Sequence, residues 1–121
     1  MNSHILFVDD EPPIRELLTL YFRKKGWSVT TASTAAEARA AAAGGEFGLA
    51  ILDVGLAGEN GLDLLSAFKR DHPKMPVIMF TGMGGDDLLD EAMAGGADGF
   101  MRKTSSLDSL YQEVCRHLPK P

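Results

Sequence analysis

Three short apolar runs in this chain, and a fourth segment that is partly apolar, are each followed at once by a polar side chain. The segments and the polar residues that follow them are 5–8 with Asp9 and Asp10, 49–52 with Asp53, 77–80 with Thr81, and 99–102 with Lys103. Apolar runs of this length are too short for helices and are typical of buried strands. The chain therefore predicts a set of strands that each present a polar group at the carboxyl end.

Segments with helical periodicity separate these strands. In the first, Pro12 and Pro13 suit the opening turn of a helix. Its predicted core-facing stripe comprises Ile14, Leu17, Leu18, Tyr21 and Phe22. Later helices have predicted caps at Thr34 with Glu37 in a capping box, at Asn60, at Asp86 or Asp87, and at Ser105 with Asp108. Residues 27–31 add a β-branched strand, which gives five strands alternating with five helices.

This alternation predicts an α/β fold with a single parallel sheet covered by helices on both faces, a (βα)5 three-layer sandwich. The flavodoxin-like strand order 2-1-3-4-5 satisfies the handedness of the crossovers. In that order, ligands bind between the carboxyl ends of the first and third strands. Asp9, Asp10 and Asp53 follow those two strands and should therefore converge. The length of 121 residues indicates one domain, spanning 1–121.

Composition excludes several classes of function. The net charge of −5 argues against direct nucleic-acid binding by this domain. No apolar run approaches membrane-spanning length, and the acids at Asp9 and Asp10 come too early for a signal peptide. Cys115 is the only cysteine, which fits a reducing compartment. We therefore expect a cytoplasmic protein that does not contact membranes.

Three converging carboxylates repel one another, so at least one should have a raised pKa in the absence of a cation. An oxygen-rich site of this kind favours Mg²⁺ over Zn²⁺. A cation beside a carboxylate, a hydroxyl and a lysine suits phosphoryl transfer, in which a carboxylate can be the nucleophile. Asp53 is the best candidate, because it stands alone at the end of its strand.

Four motifs of this chain, taken in order, resemble those of the receiver domain of two-component response regulators. The resemblance covers essentially the whole chain. They are Val8-Asp9-Asp10-Glu11; Leu52-Asp53-Val54 with Asn60-Gly61; Phe80-Thr81-Gly82; and Ala94 to Phe100 followed by Lys103. Each motif alone is weak evidence for this family, whereas all four in this order are specific to it.

The resemblance implies a role for each site residue. Asp53 would accept a phosphoryl group from a histidine kinase or a histidine phosphotransfer protein. Mg²⁺ would be bound by Asp10, Asp53 and the backbone carbonyl of Gly55, with Asp9 acting mainly through water. Lys103 and Thr81 would each contact a phosphoryl oxygen.

The resemblance also implies how the signal leaves the domain. Phe100 would be an aromatic switch coupled to Thr81. It would change the face formed by the fourth helix, fifth strand and fifth helix, which binds a downstream target or an attached output domain. A phosphorylation-dependent homodimer is compatible with this scheme. The domain would catalyse only its own phosphoryl transfer and dephosphorylation.

Three positions depart from the family pattern. Ala57 replaces the usual proline four residues after the phosphoacceptor, which predicts a freer loop. Thr104 replaces the proline that usually follows the lysine with a cis bond. Because a cis bond without proline costs about 3–4 kcal/mol, either that strain is accepted or Lys103 is held differently. Gly55 and Met83 lack polar groups that could orient a hydrolytic water, which predicts that these side chains do not accelerate autodephosphorylation.

Three alternatives remain. A Mg²⁺-dependent phosphohydrolase that forms an aspartyl phosphate would place an Asp-x-Asp pattern after the first strand and would need a cap domain. A flavodoxin-like cofactor binder would need a Ser/Thr/Gly-rich loop where this chain has Glu11-Pro12-Pro13. A non-phosphorylated pseudo-receiver scaffold would not need the complete set of acids, threonine and lysine.

Overall fold

A parallel sheet of five strands forms the centre of the computed structural model, which describes residues 3–56, 58–82 and 84–119. Including two short strands outside this sheet, the strands are β1 His4–Val8, β2 Ser28–Ala32, β3 Leu49–Leu52, β4 Gly55–Leu56, β5 Glu59–Asn60, β6 Val77–Thr81 and β7 Gly99–Arg102. The central sheet has the order β2-β1-β3-β6-β7, with all pairs parallel. Because β4 and β5 form a separate antiparallel ribbon, this order confirms the predicted 2-1-3-4-5 arrangement.

Five helices cover the two faces of this sheet. They are α1 Pro12–Lys24, α2 Ala35–Gly44, α3 Gly61–Asp71, α4 Asp86–Ala94 and α5 Leu107–His117. One buried cluster includes Ala38 of α2, Leu65 of α3 and Ala92 of α4. The other includes Leu18 of α1 and Leu110 of α5. The predicted three-layer sandwich is therefore confirmed, and no helix within the described ranges has the length and apolarity needed to span a bilayer.

The register of the sheet aligns the carboxyl ends of its strands. Val8 pairs with Leu52, and the Asp53 amide donates to the Val8 carbonyl at 3.0 Å. On the other side, the Lys103 amide donates to the Thr81 carbonyl at 2.9 Å. The polar groups that follow these strands consequently lie along one edge.

The predicted stripe of α1 is wrong at Leu17, which is 49% exposed. Only Leu18 and Phe22 of this helix are buried, while Ile14 and Tyr21 are partly buried beside them. A helix that packs on one layer buries a narrow stripe, and Leu17 lies outside it.

Two predicted caps also differ from the structure. The N-cap of α4 is Gly85, whose carbonyl accepts from the amides of Leu88 and Leu89, so Asp86 and Asp87 lie in the first turn instead. The N-cap of α5 is Ser106, not Ser105, because its hydroxyl accepts from the Ser109 amide. Two adjacent acids begin α4 and two adjacent serines precede α5, so the sequence pattern did not determine which residue is the N-cap.

Two other caps agree with the sequence. The Asn60 side chain accepts from the Leu62 amide at 2.8 Å and begins α3. The Thr34 hydroxyl accepts from the Glu37 amide at 3.1 Å and begins α2. The Glu37 carboxylate accepts from the amide and hydroxyl of Ser33, so the reciprocal bond of a capping box reaches one residue further back.

Candidate functional site

The ammonium group of Lys103 lies among three carboxylates at the carboxyl edge of the sheet. Its Nζ is 2.8 Å from Asp9 Oδ2, 2.8 Å from Glu11 Oε1 and 3.0 Å from Asp53 Oδ2. Lys103 follows β7, whereas these acids follow β1 and β3, so one side chain connects three strands. The lysine neutralises part of a concentrated negative charge.

Asp9 and Asp53 are both buried, at 0% and 4% exposure. Backbone amides hold one oxygen of each carboxylate. The Glu11 amide donates to Asp9 Oδ1 at 2.9 Å, and the Gly55 amide donates to Asp53 Oδ1 at 3.2 Å. These bonds point the second oxygen of each carboxylate toward Lys103 and fix the two side chains relative to the strand ends.

Burial raises the pKa of Asp9, and the nearby charge of Asp53 adds to that effect. Contacts with Lys103 and the Glu11 amide act in the opposite direction without cancelling the increase. For Lys103, burial acts to lower the pKa, but Asp9, Glu11 and Asp53 outweigh it and raise the pKa above the ordinary value. The expectation of a raised carboxylate pKa is confirmed, with burial as a larger cause than repulsion.

The acidic residues fit a divalent cation. Asp9, Asp10, Glu11 and Asp53 each offer an oxygen, and these atoms all lie within 4.8 Å of one another. Asp9 Oδ2 is fully buried and accepts no hydrogen bond of suitable angle from any described residue, although Lys103 Nζ is 2.8 Å away. An all-oxygen set with an orphaned acceptor is typical of a site for a hard cation.

Of the predicted ligands, Asp10 is partly buried and contributes to this cluster, while Gly55 is exposed at the start of β4. Glu11 is a member that the sequence prediction missed. Its place directly after the two aspartates was a signal, but the turn has no periodicity that would show which way its side chain points.

Thr81 is the last residue of β6, and Phe100 is the second residue of β7. Thr81 is fully buried at the end of β6, and Phe100 packs against the cluster that includes Leu65. Thr81 is the register partner of Arg102, and Met79 is the partner of Phe100. Side chains at paired positions in a parallel sheet share a face, so Thr81, Phe100 and Arg102 project to the same side.

Arg102 contacts the predicted switch residue. Its guanidinium lies 4.9 Å from the centroid of the Phe100 ring and also donates to the Gly84 carbonyl. It therefore links β7 to the segment before α4.

The turn after β7 holds Lys103 without a cis peptide. The Lys103–Thr104 bond is trans, and the Ser105 amide donates to the Arg102 carbonyl at 2.9 Å. Lys103 nevertheless reaches Asp53, so of the two alternatives the lysine is held differently. The predictions that concern Ala57 and Met83 fall outside the described residues.

Comparisons with known proteins agree with this geometry. Residues 5–115 match the family model described as the response regulator receiver domain. The nitrogen assimilation regulatory protein NtrX of Azorhizobium caulinodans is 38% identical over 112 residues, which are 91% of this chain and 25% of that protein. The chain spans less than half the length of the first curated relatives it matches, with 45% of the relative as the largest share.

Solved structures show the same fold. A CheY-like response regulator receiver domain protein from Methanospirillum hungatei JF-1 superimposes with a TM-score of 0.91 at 28% identity, covering 96% of this chain and 93% of that one. The response regulator protein TrrA from Thermotoga maritima, solved in complex with Mg²⁺-BeF, has a TM-score of 0.87 at 30% identity, covering 98% and 100%. The likeness extends over nearly the whole of all three chains.

Proposed function

The chain belongs to the response regulator receiver family, a family of signalling domains in two-component systems, and we propose that Asp53 is its phosphoacceptor. The observation that carries this proposal is the contact of 3.0 Å between Asp53 Oδ2 and Lys103 Nζ inside a partly buried acidic cluster. A nucleophilic carboxylate needs a cation beside it to neutralise the charge of the transferred group. Asp53 has such a cation beside it in the ammonium of Lys103, and its position at the end of β3 is fixed.

In the proposed reaction, a carboxylate oxygen of Asp53 attacks the phosphorus of a phosphohistidine. A P–O bond forms as the P–N bond breaks, and the departing imidazole nitrogen takes up a proton. The products are an aspartyl phosphate and a neutral histidine. Lys103 then pairs with one phosphoryl oxygen, and the Thr81 hydroxyl donates to another.

We assign Mg²⁺ binding to Asp10, Asp53 and the carbonyl of Gly55, with Asp9 acting mainly through water. The oxygen donors within 4.8 Å of one another and the orphaned oxygen of Asp9 support this assignment. When bound, the cation neutralises charge on the carboxylates and on the phosphoryl group. Lys103 neutralises part of the same negative charge.

The donor is a histidine kinase or a histidine phosphotransfer protein, in a cytoplasmic setting. The phosphorylated site acts through Thr81 and Phe100 on the face formed by α4, β7 and α5. That face binds a downstream target, an attached output domain, or a second copy in a phosphorylation-dependent homodimer. The Phe100 ring, which is partly exposed beside Arg102, supports a switch at this position.

The test is incubation with Mg²⁺ and acetyl phosphate, followed by intact-mass measurement. We expect one base-labile phosphoryl group on the wild type and none on Asp53→Asn. Asp63→Asn, which makes the same change in the first turn of α3, is the matched control and should be labelled like the wild type.

Labelling that survives Asp53→Asn would refute the assignment. Sustained release of phosphate from a phosphate ester would favour the phosphohydrolase instead, and a wild type that takes up no phosphoryl group would favour the pseudo-receiver.

A further inference from the structure

Three carboxylates crowd the Lys103 ammonium. Nζ donates hydrogen bonds to Glu11 Oε1 at 2.8 Å and to Asp53 Oδ2 at 3.0 Å, and Asp9 Oδ2 lies 2.8 Å from it as an ion-pair partner. A phosphoryl oxygen can therefore contact Lys103 only if one carboxylate moves away.

The three carboxylates differ in how easily they can move. The side chain of Asp9 is 0% exposed and that of Asp53 is 6% exposed, and amides hold one oxygen of each. The Glu11 side chain is 58% exposed, and Lys103 is its only hydrogen-bond partner among the described residues. Moving the Glu11 carboxylate into water would cost little free energy, because solvent already weakens an ion pair at the surface.

The backbone of Glu11 is fixed even though its side chain is exposed. Glu11 is the N-cap of α1, and its carbonyl accepts from the amides of Ile14 and Arg15, each at 3.1 Å. The side chain can therefore rotate away from Lys103 without disturbing the helix or Asp9.

We propose that the Glu11 carboxylate occupies the place at Lys103 that a phosphoryl oxygen takes, and that phosphorylation displaces it toward solvent. The inference rests on the proposed function of Asp53. Glu11 is then a positioning residue: it keeps Lys103 directed at the site in the resting protein, and it competes with the phosphoryl group. It also adds negative charge that opposes an incoming anion.

This role predicts effects of opposite sign on two ligands. Removing the Glu11 charge should favour a phosphoryl analogue, because Lys103 loses a competitor. It should disfavour the divalent cation, because one of four clustered carboxylates is lost. A residue with a purely structural role would not separate the two affinities in this way.

The experiment measures beryllofluoride binding at saturating Mg²⁺, and Mg²⁺ binding without beryllofluoride, by titration calorimetry. Glu11→Gln is compared with the wild type and with Glu16→Gln, which removes the same charge from an exposed position on α1. We expect Glu11→Gln to bind beryllofluoride about three- to tenfold more tightly and Mg²⁺ more weakly, while Glu16→Gln follows the wild type.

Equal or weaker beryllofluoride binding by Glu11→Gln would overturn the inference, and so would an equal gain in Glu16→Gln. If acetyl phosphate still labels Asp53 in that case, the proposed function stands and only the role of Glu11 fails. If the wild type neither binds beryllofluoride nor takes up a phosphoryl group, both fail together.

Discussion

At Gly61, the start of α3 packs directly on the backbone that carries Asp53. A Cβ atom at this position would lie 2.1 Å from the Asp53 carbonyl oxygen and 2.7 Å from the Val54 Cα. The Gly61 amide donates to the Val54 carbonyl at 2.8 Å, so the approach is held by a hydrogen bond. The orientation of Asp53 therefore depends on the absence of a side chain at residue 61.

Gly61→Ala should destabilise the fold and slow the labelling of Asp53 by acetyl phosphate. The added methyl group must displace backbone atoms, and overpacking of this kind costs about 1–3 kcal/mol. Urea unfolding measures the loss. Gly44→Ala is the control, because a Cβ on that last residue of α2 would have nothing within 4 Å and should leave stability equal or higher. Equal stability of the two variants would contradict the close approach.

Some residues of the candidate site could be predicted from the sequence and others could not, for physical reasons. Asp9, Asp53 and Lys103 were predictable, because each directly follows a strand-like segment and parallel strands share their carboxyl edge. Glu11 was not, since its contact depends on the reach of a lysine that is distant in sequence. The roles of Thr81 and Phe100 come from family resemblance rather than from their own chemistry.

Among the elements, β7 and the segment before α4 are connected through Arg102. The guanidinium covers the Phe100 ring at 4.9 Å and donates to the carbonyl of Gly84, whose φ is +88°. Gly84 has a left-handed backbone conformation and lies just before α4. Its contact with Arg102 therefore helps to define where that helix begins. The arrangement connects the aromatic residue of β7 to the start of α4.

Arg102→Met should loosen this connection without unfolding the sheet. The substitution keeps a long side chain but removes the donors and the charge over the ring, an interaction of about 0.5–1 kcal/mol at an exposed site. We expect amide hydrogen exchange at Gly84 and Gly85 to accelerate about two- to fivefold. Arg70→Met, at an exposed position of α3, is the control and should leave these amides unchanged. Unchanged exchange in Arg102→Met would show that Arg102 does not hold the segment.

The prediction of helices and strands succeeded where the sequence pattern repeats along the element. It failed where an element is too short to contain a repeated pattern. The five strands of the main sheet follow from apolar or β-branched runs. The ribbon of β4 and β5 has only two residues on each side, so no periodicity could reveal it. Leu17 fits a helical stripe by spacing, but spacing does not determine how wide a stripe the neighbouring layer covers.

Across the whole molecule, two long-range contacts tie non-adjacent parts of the fold together. At the carboxyl edge, Lys103 after β7 reaches Asp9 after β1, although β3 and β6 lie between these strands. On one face of the sheet, the Tyr21 hydroxyl of α1 donates to the Asp108 carboxylate at the start of α5, 87 residues away. The first contact belongs to the proposed site, whereas the second joins the first and last helices.

The second contact predicts a pH dependence of stability. The hydrogen bond to Asp108 is the largest cause that raises the pKa of Tyr21 from 10.0 to about 12. In the unfolded chain, the phenol loses its proton near the ordinary value. The stabilisation is therefore complete below about pH 10 and is lost as the pH rises through about 12. Since the pair is partly open to water, we expect a contribution of about 0.5–1 kcal/mol.

Comparing the free energies of unfolding of the wild type and Tyr21→Phe in urea at about pH 8 and about pH 11.5 tests this dependence. The wild type should be more stable than Tyr21→Phe at the lower pH, and its advantage should shrink at the higher pH, because ionisation of the phenol in the unfolded chain then favours unfolding. Tyr111→Phe is the matched control: Tyr111 packs against Tyr21 at 6.1 Å between ring centroids, and its hydroxyl has no hydrogen bond to the described residues. A wild-type advantage over Tyr21→Phe that stays constant across this range would show that the hydroxyl of Tyr21 does not join α1 to α5.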